Sequence, residues 1–259
     1  MSQQAGRSAP ETAAASVAVV DYGLGNLHSV TRGLERAGAS VEVTDDPDAF
    51  RAADGVVLPG VGAFREGVEN ADPLREDLLA VAETDTPLFG ICLGMQMLLT
   101  DSEEGSAGEA TVHGLDLIPG TNVRFAGDRN IPHMGWNDLT VERSHPLVDG
   151  LDGDEPAVGG ASGTADGVDE PDVGIAADEP GDGDAAGGSV DGRYAYFVHS
   201  YYAVPEDQSA VVATTEYGTR FPAVIADESG TVFGTQFHPE KSGETGLQIL
   251  RNFVSRCAR

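Results

Sequence analysis

At 259 residues, with 43 acidic side chains against 15 basic ones, the chain carries a formal charge of −28 and only two cysteines. That length holds one large α/β domain or two small ones with ample core. So anionic a surface excludes a nucleic-acid ligand, no run is apolar for long enough to cross a bilayer, and two cysteines without a Cys/His cluster make neither a disulfide framework nor a zinc site. The first residues also lack a basic-then-apolar export pattern. A reducing cytoplasm is therefore the expected setting, with no metal, no cofactor and no membrane. Of the basic residues 14 are arginine, and Lys241 is the sole lysine. An acidic, lysine-poor surface suits a salt-rich cytoplasm, where screening relieves self-repulsion.

Residues 1–14 are Ser, Gln, Ala, Gly and Pro without periodicity and read as a disordered tail. Ser16 to Asp21 forms a short apolar strand that ends in Tyr22-Gly-Leu-Gly-Asn-Leu27. A glycine pair after a first strand invites a dinucleotide reading, but the fingerprint fails at its third glycine, where His28 stands. Leu27, Val30, Leu34 and Ala37 then recur at helical spacing until Gly38 stops the helix. Val41 to Thr44 is a second strand and Gly55 to Leu58 a third, fully apolar and hence central. The third strand runs into Pro59-Gly-Val-Gly-Ala63, whose glycines let peptide groups approach a ligand closely. Asp72 and Pro73 read as N-cap and first residue of a helix whose buried side is Leu74, Leu78 and Val81.

Strand four, Leu88 to Ile91, delivers Cys92 inside Gly90-Ile-Cys-Leu-Gly94. This is the pattern of a nucleophile elbow with sulfur in place of oxygen. The sharp turn strains the central residue, and its neighbours two before and two after must be small. Four strands alternating with helices predict a parallel sheet covered on both faces. Beyond Asp101 come a loop from Glu103 to Thr111 and β candidates at Thr121–Phe125 and Asn137–Val141. Trp136, taken by itself, reads as core. Residues 151–192 hold 12 acidic side chains and no basic one, and read as a solvated low-complexity insert within a single domain spanning 15–259. Strands follow at Tyr194–Tyr202 and Ala210–Thr215, then a hairpin from Phe221 to Phe237 turning at Glu228 to Gly230. A last helix buries Leu247, Leu250 and Val254, and Cys257, near an exposed C-terminus, reads as incidental.

A cysteine nucleophile needs a histidine to move its proton, and that histidine needs a group to hold its tautomer. His238 sits at a strand end, where parallel sheets place their chemistry, with Glu240 two residues on. The N–H of Leu93 and a peptide of Gly60-Val61-Gly62 would serve as an oxyanion hole.

Gly90-Ile-Cys-Leu-Gly-Met-Gln96 together with His238-Pro-Glu240 resembles the class I glutamine amidotransferases, which use a Cys-His-Glu triad. Asp21-Tyr-Gly-Leu-Gly-Asn-Leu27, Pro59-Gly-Val-Gly62, His133-Met-Gly-Trp-Asn137 and Tyr196-Phe-Val-His-Ser-Tyr201 narrow the likeness to the glutaminase subunits of imidazole glycerol phosphate synthases. The resemblance covers residue 16 to the C-terminus except the insert. It implies a flavodoxin-like α/β fold with a central, mostly parallel sheet flanked by helices and an added antiparallel β region. It further implies Cys92 as nucleophile, His238 as acid and base, Glu240 as orienter, and Gly60, Val61 and Leu93 as the oxyanion hole. Gln96, Gly62, Ser200 and Tyr201 would hold glutamine, and the Gly60-Val61 peptide would have to flip before hydrolysis becomes fast. A cyclase subunit, expected to be a β/α-barrel, would take the ammonia, with Asn26, Trp136 and Lys241 facing it. Two rival readings fit the same motifs: service to another synthase, and a catalytically idle regulatory subunit.

Overall fold

The computed structural model describes residues 14–104, 112–127, 129–151 and 193–258. The expected tail and nearly all of the acidic insert lie outside the described residues, as does most of the loop after Glu103.

The first half of the chain alternates strand and helix. Strand β1 (Ser16–Val20) leads to α1 (Leu27–Arg36), β2 (Ser40–Thr44), α2 (Pro47–Ala52), β3 (Gly55–Leu58), α3 (Phe64–Ala71), α4 (Arg75–Ala82), β4 (Leu88–Ile91) and α5 (Leu93–Met97). Helix α1 buries Val30 and Leu34, as its apolar spacing predicts, and Asn26 caps it by accepting from the Ser29 N–H at 3.2 Å. The helix expected to start at Asp72 is differently built: Asp72–Leu74 is a 3-10 turn between α3 and α4, and no side-chain cap bond is made there. With α3 running directly into the turn, few N–H groups are left for Asp72 to cap.

The second half adds β5 (Asp101–Ser102), β6 (Gly120–Arg124), β7 (His133–Asp138), β8 (Thr140–Val141), β9 (Tyr194–His199), β10 (Tyr201–Pro205), β11 (Val211–Glu216), β12 (Arg220–Ala226), β13 (Val232–Thr235) and the closing helix α6 (Gly243–Cys257). The main sheet runs β2-β1-β3-β4-β13-β12-β11-β8. Its first five strands pair in parallel and the last three join antiparallel. The apolar strands β3, β4 and β13 are wholly buried, because each has neighbours on both edges and cover on both faces.

Two details of the second half differ from the sequence pattern. The expected strand Tyr194–Tyr202 is two strands that part at Ser200: β9 pairs with β7, and β10 pairs with β6 in a separate sheet. Cys257 is not at an exposed end but 5% exposed, packed where a side chain on Gly55 would stand. Among the described residues no helix is long and apolar enough to cross a membrane.

Candidate active site

Cys92 follows β4 with φ 53° and ψ −106°, a left-handed conformation that a side chain disfavours. The surrounding backbone enforces it. The Cys92 N–H donates to the Thr235 carbonyl of β13 at 2.8 Å, and its own carbonyl accepts from the Gln96 N–H at 3.1 Å. The flanking glycines are required sterically. A Cβ on Gly90 would lie 2.7 Å from the backbone of Gly94 and Met95, and one on Gly94 would run into the Leu58 carbonyl of β3. Gly94 is thus small because of the neighbouring strand β3. Helix α5 is only five residues long, so its dipole is a small part of whatever stabilises the sulfur.

His238 stands three residues beyond the end of β13, the strand beside the one that delivers Cys92. Its N–H donates to the Tyr196 carbonyl of β9 at 3.0 Å, and its carbonyl accepts from the Ser242 hydroxyl at 2.6 Å. Nδ1 lies 2.9 Å from Glu240 Oε1, with both side chains buried. Nε2 faces the thiol side without a partner that meets hydrogen-bond geometry, as is common before substrate tightens a site. Burial alone would lower the His238 pKa. Its interactions with Cys92 and Glu240 outweigh that and push it up to about 10, the behaviour of an imidazolium beside a thiolate and a carboxylate.

These groups open into a cavity of about 250 Å³ lined by Val61, Gly62, Cys92, Leu93, Gln96 and His238, and also by Ser200, Tyr201 and Glu104. A larger cleft of about 730 Å³ lies elsewhere, between Leu117, Arg143 and Asp227, and holds neither the thiol nor the imidazole. The glycine turn is anchored at both ends. The Tyr22 hydroxyl donates to the Pro59 carbonyl at 2.5 Å, and the Phe64 N–H donates to Glu104 Oε2 at 2.6 Å. Burial, and then the charge of Cys92, raises the Tyr22 pKa, so Tyr22 stays a donor. Between the anchors Val61 is exposed and Gly62 has φ +105°, while Gly60 is packed against Leu93 and Gly94 with no room for a side chain.

Most residues singled out in the sequence therefore meet in one place. Gly60 lies beneath the pocket lining rather than in it. Trp136 is 55% exposed, contrary to the core reading its type suggests, and Lys241 is also exposed; Asn26 is half-buried with its side-chain oxygen engaged in the α1 cap. Sequence reasoning missed three groups. Gln236 is fully buried and points Nε2 at Cys92 Sγ from 3.8 Å; a lone amide in an apolar strand run was the available signal. The Val198 carbonyl lies 3.9 Å from the same sulfur. Glu104 arrives across forty residues of sequence from an unpatterned loop, and no local signal marked it.

A thiol on a strained strand-to-helix turn, beside a histidine already oriented by a carboxylate, defines an α/β thiol enzyme of the amidotransferase kind, and the class-I glutamine amidotransferase family matches residues 18–257. The chain belongs to the class I glutamine amidotransferases. Within that class it groups with the imidazole glycerol phosphate synthase subunit HisH proteins. It is 62% identical to the HisH of Haloarcula marismortui, over 94% of this chain and 96% of that one. The HisH of Natronomonas pharaonis is 58% identical over 94% and 95%, and that of Methanosarcina mazei 41% over 93% and 98%. Among solved structures, PurLQS from Thermotoga maritima shares the fold with a TM-score of 0.58 at 19% identity, covering 93% of this chain and 98% of that one. A second structure, described as a glutamine amidotransferase, gives 0.59 at 18% identity, covering 94% and 99%.

Proposed function

We propose that this chain is the glutaminase subunit of a cytoplasmic imidazole glycerol phosphate synthase, hydrolysing glutamine and passing ammonia to a separate cyclase subunit in histidine biosynthesis. The observation that carries the chemistry is the His238–Glu240 pair beside Cys92 in the wall of a cavity of amino-acid size. The partner and pathway rest on the HisH relatives.

In this reading the Cys92 thiolate attacks the glutamine carboxamide carbon. The carbonyl oxygen becomes an oxyanion held by the Leu93 N–H and a peptide N–H of the Gly60-Val61 turn. His238, already protonated, gives its Nε2 proton to the amide nitrogen as the C–N bond breaks, leaving a γ-glutamyl thioester and ammonia. Now neutral, His238 takes a proton from water, whose oxygen attacks the thioester and releases glutamate. Glu240 holds the ring and stabilises its charged form throughout. Glu104, a carboxylate in the pocket lining, suits the α-ammonium of glutamine, with Gln96, Gly62, Ser200 and Tyr201 enclosing the rest. If the Gly60-Val61 peptide presents its carbonyl to the oxyanion, one donor is lost, which costs ~3–4 kcal/mol or about 10²–10³ in rate. A docked partner that turns this peptide would switch the enzyme on. Trp136 and Lys241 are the exposed groups offered to that partner.

The test is glutamate release in high salt by the intact chain and by Cys92→Ala, each with and without the cyclase subunit. Release that rises with the cyclase and vanishes in Cys92→Ala is expected. Release surviving Cys92→Ala would sink the thioester route, and no release under any condition would favour an idle regulatory subunit.

A further inference from the structure

Strands β7 and β9 place His133 directly opposite His199, and a chain of hydrogen bonds passes through the two rings. His133 Nδ1 lies 3.2 Å from His199 Nε2. At one end, His199 Nδ1 is 2.7 Å from the Tyr201 carbonyl. At the other, His133 Nε2 is 2.9 Å from Asn137 Oδ1, and Asn137 Nδ2 donates to the Glu216 carbonyl at 2.6 Å.

Proton counting makes this chain unusual. Both ends are backbone carbonyls, which only accept. Between them stand one amide and two imidazoles, and each, when neutral, donates on one side and accepts on the other. Three such relays cannot donate outward at both ends, so one joint must bring two acceptors face to face. Exchanging the oxygen and nitrogen of Asn137 only moves the fault to the Glu216 joint.

One more proton on the pair would remove the fault, and the surroundings oppose it. Both rings are buried, at 1% and 6% exposure, among Phe125, Phe197 and Phe221. Tyr217 stacks on His133 with ring centroids 4.0 Å apart, its hydroxyl donating to the Asn130 carbonyl and Arg129 lying behind its ring. His238 bears on His199 from the catalytic side. No carboxylate among the described residues acts on either ring. Burial lowers the His133 pKa and takes His199 down to about 3, so both rings are neutral at pH 7.

While the two inner bonds, His133–His199 and His133–Asn137, are kept, a neutral pair satisfies only one end carbonyl at a time. With the N–H groups directed toward Tyr201, that carbonyl is held and the Asn137 end is broken. With them directed toward Asn137, Glu216 is satisfied and Tyr201 is released. The Tyr201 carbonyl also accepts from Gln96 Nε2 at 3.0 Å, Gln96 reaches Gln236 Oε1 at 3.2 Å, and Gln236 reaches the thiol. At the opposite end Asn137 adjoins the exposed Trp136.

We propose that His133 and His199 are positioning residues forming a tautomer switch, in which, as long as the two inner bonds hold, tying Asn137 to Glu216 and holding Tyr201 are mutually exclusive, so that the Trp136 face is coupled to the Ser200-Tyr201 segment and through it to Cys92. The coupling rests on the reading that a cyclase subunit docks on the Trp136 face.

Nitrogen NMR of the imidazoles in the full chain at pH 7 and high salt tests it, alone and with the cyclase subunit. Alone, both rings should be neutral; on complex formation the ring proton should move to the opposite nitrogen in both. An imidazolium at either ring in the free chain overturns the switch, as do unchanged tautomers in a complex that raises glutamate release. A cyclase that neither binds nor activates overturns the docking reading and the coupling with it, and is recognised by the same assay on the wild-type chain. Asn137→Asp supplies a second test, because a carboxylate there fixes the extra proton on His133 and holds Tyr201 permanently, at the loss of the donor to Glu216. Its release without the cyclase should stay within about threefold of wild type, while the gain at saturating cyclase falls about tenfold, the worth of one buried joint. An undiminished gain in Asn137→Asp overturns the switch.

Discussion

His238 is buried, which by itself would favour its neutral form, yet it takes up protons on folding because Cys92 and Glu240 flank it. Two consequences follow from that raised value. The proposed route needs the imidazolium to protonate the departing amide nitrogen, so kcat/KM should hold across neutral pH and fall as pH rises through about 10. Glu240→Gln keeps the shape but removes the charge. It should lower kcat on the order of 10³-fold or more and move the alkaline limb to lower pH, read from pH profiles of glutamate release. A displaced limb with intact kcat would show that Glu240 tunes the ring without orienting it. For stability the sign is fixed by the same shift: the contribution of His238 is complete below its ordinary value of 6.5 and is lost as pH rises through about 10.

His145 behaves in the opposite sense. Burial, then the charges of Arg143 and Arg256, hold its pKa down to about 4, while the unfolded chain would protonate it near 6.5. Its neutral burial therefore favours folding above 6.5, and that margin shrinks as pH falls toward 4. His145 Nδ1 accepts from the Leu147 N–H at 3.2 Å, a cap that asparagine can reproduce. His145→Asn should accordingly flatten the fall of melting temperature between pH 6.5 and 4 while leaving the neutral-pH value within a few degrees. An acid limb as steep as wild type would assign the loss to other groups, such as His199.

At the scale of elements, what was legible in the sequence is what is local. The periodicity of α1, the apolar strands β3 and β4, and the elbow spacing all follow from neighbours a few residues apart, and each is found where its pattern puts it. The hairpin turn is equally local: Asp227 Oδ1 accepts from the N–H groups of Gly230, Thr231 and Val232. What the sequence could not show is tertiary. The break at Ser200 exists because β7 and β6 claim successive halves of one extended run. Glu104 reaches the pocket and Gln236 the Cys92 sulfur through long-range packing, and Cys257 is buried because Gly55 leaves room for it.

The elbow glycines give this a sharp test. Gly94→Ala would drive a methyl into the Leu58 carbonyl, where backbone on both sides prevents relief. It should cost ~3 kcal/mol or more, above the ordinary overpacking range, and displace α5 enough to abolish activity. Gly38, which has φ +100° and open space around the missing Cβ, is the control. Gly38→Ala should cost only the conformational strain, about 1–2 kcal/mol, with activity unchanged. A loss at Gly94 no larger than at Gly38 in urea denaturation would mean that the crossing of elbow and strand yields to the methyl and does not set the requirement.

For the whole molecule the governing quantity is charge. With 43 acidic residues against 15 basic ones, repulsion among carboxylates outweighs the ion pairs that could offset it. The pairs present, such as Arg51 with Asp48 and Arg220 with Glu142, are largely exposed, and exposed pairs contribute roughly 0–1 kcal/mol each. Salt weakens both terms, so the sign of its effect reports which is larger. Raising ionic strength from 0.1 to 1 M shortens the screening length from about 10 Å to about 3 Å, less than the spacing of most surface carboxylates. Melting temperature should therefore climb with KCl over that range and level off near 1 M, where little repulsion is left to screen. A climb that continues unchanged well beyond 1 M would point instead to strengthened apolar burial, which has no such ceiling. The two are separated by repeating the titration with a variant in which exposed carboxylates remote from the pocket, such as Glu35, Glu42 and Glu76, are changed to glutamine. If screening dominates, that variant gains stability in low salt and responds less to KCl. A melting temperature that is flat or falls between 0.1 and 1 M would show that the arginine pairs, not the carboxylate excess, set the electrostatics of the fold.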